Sequence, residues 1–133
     1  MKSLIIYKIA LRGSMLIYTL SLIFHLLVMA GLIPNNIVWG GRIHDNYQLR
    51  TLEAFSLFTN ALFLFIVLLK GKLIKIEVPR FVVQTGLWVM TAMFLLNTVG
   101  NLYSVNILEK LIFTPVTLIC AFFSIVLALN PKK

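Results

Sequence analysis

Acid is scarce in this chain, with four Asp and Glu against twelve Lys and Arg in 133 residues. Cysteine is scarcer still. Cys120 stands alone, which excludes an intramolecular disulfide, a CxxC redox pair and a thiolate metal site. Among His25, His44, Asp45, Glu53 and Glu109 there is no HxxH, ExxH or HExxH spacing, so no metal is expected. The serines near His25 have no nucleophile elbow around them, and Gly40-Gly41 lacks the glycine spacing and the Lys-Ser/Thr of a phosphate loop. No catalytic residue and no cofactor follow from any motif. The chain also has no fixed-period repeat and no low-complexity tract.

What is present is hydrocarbon. Hydrophobic residues make up 60% of the chain and the mean hydropathy is +0.98, which leaves too little polar surface for a soluble globule. Four apolar segments, at 15–33, 51–69, 81–103 and 111–129, are 19, 19, 23 and 19 residues long. As helices, each reaches across a hydrocarbon core about 30 Å thick. Within them only His25 and Glu53 ionise near neutral pH. The expected fold class is all-α: a single polytopic membrane domain built as a four-transmembrane-helix bundle. The first segment opens on Lys2, Lys8 and Arg12, and Val28-Met29-Ala30 fits the small-residue spacing of a signal-peptide cleavage site. It is long for a signal, however, and carries an internal polar stripe.

The basic residues orient the bundle. Lys2, Lys8, Arg12, Lys70, Lys72, Lys75, Arg80, Lys132 and Lys133 fall on one side, where Glu77 reduces nine charges to the net +8. Arg42, Arg50 and Lys110 fall on the other, cancelled by Asp45, Glu53 and Glu109. By the positive-inside rule both termini are cytoplasmic, in the inner membrane of a bacterium. So strong a bias argues against an antiparallel dual-topology dimer. Lysines at helix ends, with no exposed aromatics interleaved, also argue against nucleic acid as a partner.

The outer connection from Pro34 to Arg50 is 17 residues, a length uncommon without a task. In it Trp39 suits the water–lipid interface, Gly40-Gly41 permits a tight turn or a close approach to a ligand, and Arg42 follows. Stepping 100° per residue gives each helix one polar stripe: Ser14, Tyr18, Ser21 and His25; Glu53, Ser56 and Asn60; Asn97, Asn101 and Ser104, continued by Met93, Met90 and Gly86; Thr114, Thr117, Ala121, Ser124 and Ala128. At about 1.5 Å per residue, His25 and Asn60 lie about 13 Å below the outer boundary and Asn97 and Thr117 about 10 Å. Glu53 and Asn101 lie near the rim. A pocket is therefore expected in the outer half, with His25, Glu53, Asn60, Asn97, Asn101 and Thr114 as ligand-binding candidates and Trp39, Gly40, Gly41 and Arg42 as its cap.

Each candidate has a structural alternative. Glu53 could bind a cation or carry a proton, or be a first-turn residue paired with Arg50 or Arg42. His25 could relay a proton, or be a core histidine bonded to Ser21, Tyr18 or Asn60. The asparagines could hold a ligand or bond between helices. Thr114-Pro115 could kink the fourth helix and free the Leu111 carbonyl, or start it with Thr114 as N-cap.

In length, helix count and outer-half pocket the chain resembles small four-helix membrane families such as the DoxX-like proteins and the sterol-isomerase-related group. The resemblance is architectural and implies no function. The expected function is non-enzymatic binding of a lipid-like or small amphipathic ligand, or of a partner membrane protein. Two others compete: a proton-coupled transporter acting as a homo-oligomer, and an acid–base enzyme on a lipidic substrate. Membrane lipid is a partner in every case.

Overall fold

Four long helices form because apolar runs free of helix-breaking residues are bounded by capping and turn signals. The computed structural model describes residues 1–130; Lys132 and Lys133, counted above for orientation, lie outside them. Helix α1 spans Lys2–Met29, α2 Asn46–Lys70, α3 Arg80–Leu102 and α4 Thr114–Leu129. Each is long and apolar enough to cross a membrane, α4 together with the turn that precedes it. Large apolar side chains cover the outside, among them Leu16, Phe58, Leu96 and Phe122, as a lipid-facing surface requires.

The boundaries differ from the hydropathy segments at four places. Helix α1 begins well before residue 15, running unbroken from Lys2. That helix also stops at Met29 although apolar residues continue to Ile33: Gly31 takes a left-handed φ of 77°. Its amide bonds Val28 O at 3.0 Å while Leu32 N bonds Leu27 O at 2.9 Å, a Schellman stop. Helix α2 starts earlier than 51, at Asn46, because the Asp45 side chain accepts from Gln48 N at 3.0 Å and Tyr47 N at 3.4 Å. Such a cap is worth about 1 kcal/mol. Before α4, Glu109–Phe113 form a π-helical turn, so Pro115 lies at the start of regular helix. The Thr114 hydroxyl caps nothing; it is buried without a hydrogen-bond partner among the described residues.

Helix α1 packs chiefly on α2, and α3 on α4, while α2 and α3 meet along a shorter seam. That seam is tight at the end carrying the α2–α3 connection, the start of α1 and the end of α4, here called the basic end. There a Cβ on Gly86 would come within 2.8 Å of Ile66 Cδ1, and Phe63, Val67, Leu87, Met90 and Leu127 form the buried core. Polar groups clasp the helix ends: Lys70 Nζ donates to Asn130 O at 2.7 Å, Gln84 Nε2 to Ala128 O at 2.6 Å and the Tyr7 hydroxyl to Lys70 O at 3.2 Å. At the opposite end the connection between α1 and α2 folds back over the bundle, because Val28, Val38 and Leu49 bury one another beside Phe24 and Trp39.

Candidate functional site

Towards the loop end α2 and α3 part, and the gap becomes a cavity of about 720 Å³. Its floor is aromatic: Tyr18 stacks on Phe94 at a centroid distance of 5.7 Å, and Phe63 leans on both. Its α2 wall carries Ser56 and Asn60, its α3 wall Asn97 and Asn101, its α4 wall Thr117 and Cys120. Trp39, Gly40 and Arg42 stand at its mouth. Apolar floor and convergent amides suit an amphipathic guest.

His25 and Glu53, expected at different depths, are bonded: His25 Nδ1 lies 2.7 Å from Glu53 Oε2. The difference follows from the helix ends. His25 is four residues from the last residue of α1, about 6 Å of rise, and Glu53 is seven into α2, about 10 Å. Glu53 is therefore neither at the rim nor in a first turn, and neither Arg50 nor Arg42 is its partner. It is fully buried, and its second oxygen accepts the Trp39 indole N–H at 2.8 Å. Both carboxylate oxygens are thus used within the protein, and Glu53 stands behind the cavity wall, while His25 lines it. His25 Nε2 has no partner among the described residues.

A second buried carboxyl does matching work. Glu109 Oε1 accepts the Gly40 N–H at 3.2 Å and Oε2 the Ser104 hydroxyl. Val105 N donates to Gly40 O at 3.2 Å and Arg42 Nη2 to Tyr103 O at 3.0 Å. Trp-Gly-Gly-Arg thereby ties the α1–α2 pair to the α3–α4 connection across the mouth of the cavity. The tie is strained, since Trp39 holds a φ of 55°, which costs a non-glycine residue about 1–2 kcal/mol. Two carboxyl-bound N–H groups offset that cost. In the sequence Glu109 is one of three acids that balance Arg42, Arg50 and Lys110, and no spacing marks it as the acceptor for Gly40.

The remaining candidates divide. Asn60 lines the cavity and donates to Ser56 O at 2.9 Å. Asn101 donates to Thr117 Oγ1 at 3.4 Å, and Asn97 is exposed at the cavity without a partner among the described residues. The buried polar face of α3 is rotated from the expected Asn97–Asn101 stripe to Thr91 and Thr98, with the Thr98 hydroxyl 2.9 Å from Thr117 Oγ1. Thr114 lies off the cavity, and Thr117, one turn on, lines it. Gly41 is also off the cavity, and its role is backbone packing: at φ 69° an added Cβ would stand 2.8 Å from Asn36 O. Gly41→Ala is expected to lower stability by roughly 2 kcal/mol, read as a lower melting temperature in detergent. An unchanged melting temperature would mean the loop does not hold this conformation.

Among the described residues no group of three His, Cys, Asp or Glu could hold a metal ion. No protein-family model, curated protein or solved structure matches this chain, and the functional reading rests on the geometry of the cavity and its strap.

Proposed function

We propose that the protein is a bacterial inner-membrane protein with both termini in the cytoplasm, and that it binds a lipid-like or small amphipathic ligand in the cavity between α2 and α3. The charge layout supports the orientation. One observation carries the ligand: the α2–α3 seam opens into an aromatic-floored cavity edged by Asn60, Asn97 and Asn101. An apolar tail lies on Tyr18, Phe63 and Phe94 in this reading, and amides and His25 meet the polar end.

Thiol labelling tests access. On a Cys120→Ala background, Asn60→Cys and Asn97→Cys react with a membrane-impermeant reagent added outside intact cells, several times faster than Leu16→Cys on the lipid-facing surface. Equal rates would remove both pocket and orientation. Binding itself is read by melting in detergent with added fatty alcohols, isoprenols and quinones: at least one class raises the melting temperature, and Asn60→Leu with Asn97→Leu abolishes the rise.

The bonded pair of His25 and Glu53 favours a second reading, acid–base chemistry on a bound lipidic substrate. A carboxylate on Nδ1 orients an imidazole whose Nε2 is left for a substrate. His25→Gln would then eliminate turnover of the stabilising ligand while leaving its stabilisation intact; loss of both together leaves His25 as a binding group only.

A further inference from the structure

A second cavity, of about 490 Å³, lies at the basic end under the α2–α3 connection and belongs to none of the machinery above. Lys70, Lys72, Lys75 and Arg80 line it, with Glu77 the single acid and Gln84 a neutral amide. Lys70 is already committed to Asn130 O, which leaves the exposed Lys72 and Lys75 as the cations with no hydrogen-bond acceptor among the described residues. Ile74, Val78 and Val83 complete the wall, so the cations border hydrocarbon rather than bulk water alone.

Lys72 carries the argument further. Helices α1 and α2 end in the same motif: Leu73 N bonds Leu68 O at 3.0 Å and Lys72 N bonds Leu69 O at 3.0 Å, as Leu32 and Gly31 do one helix earlier. In that motif the left-handed position belongs to glycine, and α1 puts Gly31 there. Helix α2 puts Lys72 there at φ 54°, with Gly71 one residue too early at an ordinary φ of −78°. Helix α2 thus holds a lysine, at a cost in backbone strain, in the position where the same chain uses glycine elsewhere, and that lysine lines the basic cavity.

We infer that this cavity binds the phosphate group of an anionic phospholipid, with Lys72 and Lys75 on the phosphate oxygens and the apolar wall against the glycerol end of the acyl chains. Basic pockets between membrane helices recognise headgroups through this combination. A free phosphate shares the chemistry of the head but gains nothing from Ile74 and Val83.

The probe is dioleoyl phosphatidylglycerol against dioleoyl phosphatidylcholine, scored by native mass spectrometry of the delipidated full chain in detergent. The anionic lipid is retained roughly thirtyfold better, the scale expected for two lysines beside an anionic headgroup. Lys72→Gln with Lys75→Gln removes the preference, and Lys75→Arg keeps it. Lys72→Gly separates binding from folding: it raises the melting temperature by relieving the left-handed strain while lowering retention of the anionic lipid. A preference unchanged in both the double variant and Lys72→Gly overturns the site, as does equal retention of the two lipids. Displacement of the lipid by millimolar inorganic phosphate overturns the lipid as its occupant in favour of a free anion.

Discussion

Glu53→Ala is expected to lower the stability of the bundle by roughly 3–5 kcal/mol, the largest single-residue effect in the molecule. The carboxyl is fully buried and holds two groups at once, His25 Nδ1 at 2.7 Å and the Trp39 indole at 2.8 Å. Alanine leaves both without that acceptor, and each stranded donor costs about 1–3 kcal/mol. The strain at Trp39 then has one restraint fewer, so the strap releases before the bundle melts. Glu53→Gln separates the parts, because its amide oxygen can still accept from Trp39 while its amide nitrogen cannot accept from His25 Nδ1; an intermediate loss follows. Denaturant titration in mixed micelles, followed by tryptophan emission, reads both variants. If Glu53→Ala titrates with wild type, the buried clasp contributes nothing and the site must be rebuilt from other residues.

Second in size is Glu109→Ala, with an expected loss of roughly 2–4 kcal/mol. Here the stranded groups are the Gly40 N–H and the Ser104 hydroxyl, and the consequence is more local. Gly40 O stays bonded to Val105 N and Arg42 to Tyr103 O, so the strap loosens without leaving. Hydrogen exchange is expected to rise across residues 38–42 and 103–106 while the Phe63–Leu87–Leu127 core at the basic end stays protected. Thiol labelling at Asn97→Cys should accelerate in the same variant, since the strap crosses the mouth of the cavity. Uniform exchange across all four helices would instead make Glu109 a residue of global stability with no special hold on the loop.

These two carboxyls also show what a sequence can reveal about a membrane site. Glu53 stood out because an acid inside an apolar segment is costly and must face protein or water. Its partner was legible as a residue but not as a partner. His25 appeared far deeper because hydropathy runs on through Leu32 and Ile33, whereas the helix ends where Gly31 enters the left-handed region. Gly31 was the available signal, a glycine just past a long helical run. Glu109 carried no comparable mark, since it sits next to Lys110 in a connection whose charges cancel. Its use as an acceptor for Gly40 depends on a contact 69 residues apart in the chain. The buried face of α3 departs from the polar stripe for a related reason: Asn97 and Asn101 are more polar than Thr98, yet threonine satisfies itself on its own helix, through Phe94 O at 2.8 Å, and can be buried where an asparagine needs an open edge.

By itself the sequence determined the helical class, the four long apolar helices and the concentration of polar groups towards one end, because each follows from short-range quantities: hydrocarbon length, the cost of charge in lipid and the 3.6-residue period. Only the tertiary structure decided that α2 and α3 separate to leave a cavity, that two buried carboxyls hold the Trp39–Gly40 strap across it, and that Lys72 occupies a glycine's place beside a basic pocket. Those features depend on where helices stop and how their faces meet, and a one-residue shift at a helix end turns a side chain through about 100°.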